Sequence, residues 1–280
     1  MKIFGLMLVK DEADIIAEVL NHGRQWADRI IVQDNGSTDG TWEIVQDMAD
    51  DVIVAWKQDL RTYNNTLRAD AFNAFRHEAE QDDWWCYKMD SDEFYVDDPR
   101  EFLAAVPWPY HVVFKKSIDY VITSEDVREH TYADDFEANR SSGLYRYVKP
   151  VAHSEARFFR HRNRLDWPAG TIAPKYRGPR YPKPILVRHY QFRSPQQMQR
   201  RLDLRNAVPK DKQGKPFRHI RQTHWQELLV PRSDAIPDQG RETYDALPAR
   251  IKSEKVGRGG VGNNLLRALR FALHALRILP

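Results

Sequence analysis

The sequence predicts an α/β fold with a mostly parallel sheet, helices on both faces and a functional rim at the carboxyl ends of the strands. Two observations carry this. Short apolar runs at 3–9, 29–33 and 84–89 have the length of buried strands, and each passes directly into a polar cluster holding carboxylates. The first two clusters then give way to helical periodicity, and strand–turn–helix alternation is the pattern of a parallel sheet whose ligands gather at the strand ends.

The first run, Ile3-Phe4-Gly5-Leu6-Met7-Leu8-Val9, ends in Lys10-Asp11-Glu12, ahead of a helix with Ile15, Ile16, Val19 and Leu20 on its apolar face. The second, Arg29-Ile30-Ile31-Val32-Gln33, enters the turn cluster Asp34-Asn35-Gly36-Ser37-Thr38-Asp39-Gly40-Thr41 and a helix at 42–48. A carboxylate at such a strand end suits a base or ribose. Segment 65–80 reads as a helix carrying Arg68. The third run ends in Met89-Asp90-Ser91-Asp92-Glu93-Phe94. Side chains repeat every two residues in extended chain, so Asp90 and Asp92 point the same way and repel unless a cation sits between them. Oxygen ligands of this kind suit Mg²⁺ or Mn²⁺. An acidic turn capping the next helix, which Asp97-Asp98-Pro99 opens, is the alternative that these residues leave standing. Further on, Ile185-Leu186-Val187-Arg188-His189-Tyr190 is strand-like and leads to a helix at Pro195. Residues 196–205 read as helical and basic, and 208–245 as short helices and loops anchored by Trp225, Leu228 and Leu229.

Taken in order, Leu8 to Asp14, Val32 to Thr41 and Asp90-Ser91-Asp92-Glu93-Phe94 resemble the signature of family 2 glycosyltransferases with the GT-A fold, in their bacterial branch with Asp-x-Asp-Glu-Phe. The resemblance covers roughly the first 120 residues. It implies a nucleotide-sugar donor (UDP- or GDP-linked), a glycan or lipid-linked acceptor, a divalent metal and an inverting transfer, in assembly of a bacterial surface polysaccharide or glycolipid. Carried over by position, Asp34 contacts the nucleobase, Lys10 and Glu12 line the same pocket, and Asp90 faces the ribose or the metal. Asp92 is the metal ligand to the diphosphate, and His189 completes the metal shell or touches the diphosphate. Arg68 and Arg193 are diphosphate candidates, Arg193 in the His-Tyr-x-x-Arg-Ser segment that closes the catalytic domain. The implied base is one Asp or Glu across the sugar from the leaving group; Asp166 and Glu155 are the candidates. Asp119, Glu125, Asp126, Asp134, Asp135 and Glu137 crowd a segment that reads as an acceptor loop. Relatives carry a His-Glu pair after a Trp in this region, whereas Trp167 here is followed by Pro168-Ala169-Gly170-Thr171. His161, inside Arg160-His161-Arg162-Asn163-Arg164, reads as part of a solvated basic turn. The expected partition is a catalytic domain at 1–195 (nucleotide-binding to about 100, acceptor part to 195), an extension at 196–256 and a linker plus helix at 257–280. A nucleotidyltransferase would place a Gly-rich, Arg-containing loop where Lys10-Asp11-Glu12-Ala13-Asp14 stands; a non-catalytic, membrane-associated binding protein is the other rival.

Composition agrees with a compact enzyme. Cys86 is the single cysteine, which rules out an intramolecular disulfide and fits a reducing, cytoplasmic compartment. The apolar run 3–9 is too short for a signal sequence, and no segment is long enough to span a bilayer. Charge is strongly divided: 14 Lys and Arg against 30 Asp and Glu in residues 1–140, but 29 against 10 in residues 141–280, a net of −16 facing +19. Zinc-ligand spacing and helix-turn-helix patterns are absent, so nucleic acid is not expected as a partner. At the end of the chain, Gly257-Arg258-Gly259-Gly260-Val261-Gly262 reads as a tether to a helix at 265–279. Arg267, Arg270, His274 and Arg277 fall on one arc and the leucines on the other, which suits peripheral attachment to an anionic membrane or docking on protein.

Overall fold

A computed structural model describes residues 1–207, 221–251 and 261–276. The first half alternates as expected: β1 (Ile3–Val9), α1 (Ile16–Gly23), β2 (Arg29–Asp34), α2 (Thr41–Asp47), β3 (Ile53–Gln58), α3 (Arg68–Phe75) and β4 (Trp84–Met89). Then follow β5 (Glu93–Tyr95), α4 (Pro99–Ala104), β6 (Val112–Val121), α5 (Asp126–Glu129), α6 (Phe136–Ser141), β7 (Tyr147–Val148), β8 (Ala152–Arg160), β9 (Ile185–His189) and α7 (Pro195–Ala207). The last described elements are β10 (Ile236–Pro237), α8 (Arg241–Ala246), β11 (Ala249–Ile251) and α9 (Val261–Ala275). Asp98 starts α4 by accepting the backbone N–H of Arg100 and Glu101, with Pro99 at the first helical position.

The main sheet runs β10-β7-β6-β8-β4-β1-β2-β3. The half formed by β4-β1-β2-β3 is parallel. Beyond β4 the sheet becomes mixed: β8 is antiparallel to β4 and β6, while β9 runs parallel to β6 and antiparallel to β5. Alternation along the strands sends Ile3, Trp84, Cys86 and Phe158 into one core and Phe4, Leu6, Trp85, Tyr87 and Phe159 into another, on the opposite face with Phe72 and Trp167. Cys86 is buried, its thiol 3.3 Å from the Tyr95 hydroxyl.

Two readings are corrected here. His161 is 2% exposed rather than solvated, because its Nδ1 accepts the indole N–H of the buried Trp85 at 3.2 Å. Asp119 lies in buried strand β6, not in a loop. The tether residues 257–260 lie outside the described residues, as do Arg277 to Leu279. Among the described residues no helix is long and apolar enough to cross a membrane.

His22 supplies a test of packing between α1 and β5. Its Nε2 accepts the backbone N–H of Tyr95 at 2.9 Å, and burial, followed by the charge of Arg188, lowers its pKa to about 4. An unfolded histidine titrates near about 6.5. The associated stability is therefore complete above about pH 6.5 and declines as pH falls to about 4, by about 1–2 kcal/mol for a partly exposed ring. His22→Gln, whose amide oxygen also accepts, should flatten that decline in urea melts at about pH 7 and about pH 4.5; an unchanged acid slope would discard the assignment.

Candidate active site

Strand register assembles the site. Val9 aligns with Asp34 across β1 and β2, and Met7 with Met89 across β1 and β4, so the segments after these strands share one rim. On the other side, β9 sets His189 opposite Glu93 of β5 and opposite Asp119 of β6. The N–H of Tyr190 then donates to the Asp92 carbonyl at 2.9 Å, which draws the Asp-x-Asp turn against the end of β9.

These elements enclose a cavity of about 260 Å³, lined by Lys10, Asp11, Glu12, Tyr63, Asp90, Asp92, His189 and the α7 side chains of Gln197, Arg200, Arg201 and Arg205. Asp11 holds φ 51°, a left-handed conformation uncommon for a non-glycine residue, and is stitched to the next turn. Its N–H donates to the Ser37 hydroxyl, and its carboxylate accepts the Thr38 N–H at 2.7 Å. Lys10 spans the same gap through Nζ, which donates to the Gly36 carbonyl at 2.7 Å.

Asp92 and His189 are the centre of the arrangement. Asp92 is 4% exposed, and its Oδ2 lies 3.4 Å from His189 Nε2 and 3.3 Å from Arg201 Nη2. His189 Nδ1 is 2.8 Å from Asp119 Oδ1, which leaves Nε2 as the nitrogen presented toward Asp92. Asp119 is itself braced by His153 Nδ1 at 3.2 Å and Lys149 at 3.6 Å. Burial pushes the imidazole toward neutrality, but Asp92 and Asp119 outweigh it and raise its pKa to about 10. Burial likewise opposes ionisation of Asp92, and His189 with the arginines more than reverses this, holding the carboxyl well below its usual range. Once a cation displaces the Nε2 proton, a carboxylate oxygen facing an imidazole whose other nitrogen is fixed by a second carboxylate is a donor set that fits a divalent metal. Glu93 lies near enough to join them. Its carboxylate, however, is occupied by Lys115 and Arg157.

Asp90 borders the cavity from above a buried cluster of charge. Arg157 lies at 3.1 Å, Arg68 at 3.2 Å and Lys115 at 3.9 Å. Burial raises its pKa, and these three cations outweigh that and lower it. Arg68 is thus turned to Asp90 and to Asn65 and does not line the cavity. Glu12 does line it, between Arg193 and Arg201.

Other expectations meet a different geometry. Asp34 is fully buried and folds its own turn: Oδ1 accepts the N–H groups of Gly36 and Ser37, each at 2.9 Å, and Oδ2 accepts the Ser37 hydroxyl. It therefore stands behind the cavity wall rather than facing a base. Arg193 is likewise inaccessible to a diphosphate. It is fully buried, paired to Asp14 through Nε at 2.6 Å and Nη2 at 2.7 Å and to Glu12, and it donates to the Tyr190 carbonyl at 3.1 Å. The contact locks the start of α7 onto the segment after β1, so Arg193 closes the domain without touching the cavity. Glu155 lies beside Asp90 but outside the lining, against Lys115 at 3.3 Å, Arg157 at 3.4 Å and Lys88 at 3.5 Å. Asp166 is exposed and acts on His274 of α9, away from the cavity.

Tyr63, Arg201 and Arg205 enter the site without having been singled out in the sequence. The signal was the spacing of Gln197, Arg201 and Arg205, four residues apart along one face of α7. Burial, and then the neighbouring Arg201, lower the pKa of Arg205 to about 9. Tyr63 lies in the loop between β3 and α3, where no periodicity marks it.

The family model described as glycosyl transferase family 2 matches residues 6–178. No curated protein matches. Among solved structures, S. aureus TarS 1–349 aligns at 19% identity over 44% of this chain and 36% of that chain, with a TM-score of 0.31. Its complex with UDP aligns at 20% identity over 43% and 36%, with the same TM-score of 0.31. This chain thus spans little more than a third of the TarS chains. The family match covers well over half of the sequence and includes all three acidic strand ends, so the chain belongs to glycosyl transferase family 2.

Proposed function

We propose that this protein transfers a sugar from a UDP- or GDP-linked donor to an acceptor hydroxyl, with inversion and with a bound Mn²⁺ or Mg²⁺. The acceptor class we infer is a bacterial surface polysaccharide or a glycolipid. The observation that carries the reading is the convergence of Asp92, His189, Arg201 and Arg205 on one rim cavity. Displacing a nucleoside diphosphate builds negative charge on the departing phosphate oxygen, and catalysis of such a step is largely the fixed placement of positive charge there.

In this reading Asp92 and His189 hold the cation, which supplies Lewis-acid stabilisation of the diphosphate. Asp119 keeps His189 in the tautomer that offers Nε2. Arg201 and Arg205 reach the diphosphate from α7, while Asp90, fixed by Arg68 and Arg157, faces the ribose or the cation. Tyr63 and Lys10 border the nucleoside, and Asp34 shapes the turn that carries Lys10's partners. The acceptor proton goes to a carboxylate across the sugar from the diphosphate; among the two candidates Glu155 is the nearer, as a neighbour of Asp90.

A panel of nucleotide-sugars tested for metal-dependent hydrolysis and thermal stabilisation decides the matter. One donor should stand out, and Arg201→Ala should weaken its binding about tenfold, the loss of one charge-assisted contact. Stabilisation by every nucleotide-sugar without metal, or by none, would overturn the reading.

A further inference from the structure

Helix α9 is docked on its own protein by its polar face, and its leucines point outward. Asn264 exchanges two hydrogen bonds with the backbone of Arg180, both at 3.2 Å. Phe271 is sandwiched between the Arg162 guanidinium, 3.6 Å from its ring centre, and the His111 ring at 4.4 Å. His274 stacks on Tyr176 at 5.0 Å. Gly178 makes this approach possible, since a Cβ there would come within 2.8 Å of the Phe271 ring and its φ of +95° disfavours any side chain. With that face engaged, Leu265, Leu266, Leu269 and Leu276 remain 76%, 45%, 55% and 69% exposed. Contiguous exposed apolar surface of this kind marks an interaction site.

Two further features lie beside the stripe. Trp108 is 70% exposed, and its ring contacts His111, which contacts Phe271, so an exposed indole stands next to the helix. The surroundings are cationic. Arg162 and Arg164 act on His274, Arg267 acts on Arg180, and Arg164, Lys175 and Arg270 are exposed, with Asp82 and Asp166 as the opposing acids.

We propose that this leucine face, with Trp108, seats the enzyme on an anionic lipid bilayer. Leucines immersed at the headgroup boundary, an indole at the same level and arginines at the rim are the composition of an interfacial helix. The length of α9, about 22 Å, lets it lie along a bilayer and not across it. A second copy of the chain is a poorer occupant: a two-fold contact would set this basic rim against itself, whereas anionic headgroups complement it. The proposal is independent of the transfer reaction, because none of these residues lines the rim cavity.

The test is co-sedimentation of the full chain with phosphatidylcholine vesicles, pure or containing about one-third phosphatidylglycerol. The wild type should pellet with the anionic vesicles alone. Leu265→Glu/Leu269→Glu, which alters exposed positions, should reduce the bound fraction about tenfold or more, and Arg164→Glu/Arg270→Glu should weaken it while restoring nothing on neutral vesicles. UDP binding should be unchanged in both. A wild type that fails to pellet, or a leucine variant that pellets as well as wild type, overturns the proposal. Light scattering that shows a dimer dissolved by Leu265→Glu/Leu269→Glu, without vesicle binding, also overturns it and gives the face to a second copy.

Discussion

Asp92→Ala should abolish the dependence of nucleotide binding on metal, with a loss of about 100-fold or more in affinity measured by calorimetry at saturating Mn²⁺. The reason lies in what Asp92 faces. Its Oδ2 is the carboxylate oxygen set between His189 Nε2 and Arg201 Nη2, so its removal takes away the anionic ligand and leaves the positive groups in place. Cation affinity must therefore fall while the cavity becomes more attractive to a bare diphosphate. The expected result is a pair of changes: affinity with metal drops, and affinity in chelator stays the same or tightens, so that the two values converge. That signature separates a lost ligand from a damaged fold, which would weaken both. A wild type that binds UDP or GDP equally with and without metal would refute the metal assignment at its root.

The difference between what was and was not legible in the sequence follows from charge. Strand β1 is an uninterrupted apolar run and β2 and β4 are apolar but for residues near their ends, so those ends, and hence Lys10, Asp34 and Asp90 to Asp92, could be placed on one rim from pattern alone. Strands β6 and β8 are as deeply buried but contain Lys115, Lys116, Asp119, Glu155 and Arg157, which breaks any hydrophobic alternation. Those charges are tolerated because they neutralise one another across strands that are distant in sequence, as Lys115 does with Glu93 and Glu155. The same positions that defeated the pattern are those that hold Asp90 and His189, the expected consequence when a functional site overrides local rules. His189 was visible as a candidate, but not its partner Asp119, since the pairing depends on the register of β6 against β9. Asp34 and Arg193 illustrate the converse: each stands in a motif beside the site, yet burial and local hydrogen bonds turn Asp34 into the organiser of a turn and Arg193 into a clamp. Distance along a chain does not report which way a side chain points. The cationic helix α9 was legible as amphipathic, while the fact that its polar face meets protein through Phe271 and Asn264 needed Gly178, a contact between segments far apart.

Arg157→Met should destabilise the fold by about 3–5 kcal/mol in urea denaturation, the usual cost of removing one member of a buried ionic cluster. Arg157 is fully buried, and its Nη2 lies 3.1 Å from Asp90, 3.2 Å from Glu93 and 3.4 Å from Glu155. Methionine fills most of the stem's volume, so the loss reports charge more than packing. With the guanidinium gone, Asp90 keeps Arg68 and Lys115 and Glu155 keeps Lys115 and Lys88, but Glu93 is left with Lys115 alone. A matched removal tests the explanation: Arg157→Met/Glu93→Leu also takes away the buried carboxylate that the single variant leaves with one cation, and a double-mutant cycle should recover much of the single-variant loss. Both variants should also weaken nucleotide binding relative to wild type, even when stability is restored, because Asp90 loses Arg157, one of its three cations, in each. If the double variant is no more stable than Arg157→Met, the stem's packing rather than ion pairing dominates this site, and the cluster beneath Asp90 would have to be viewed as a scaffold whose charges contribute little to the fold.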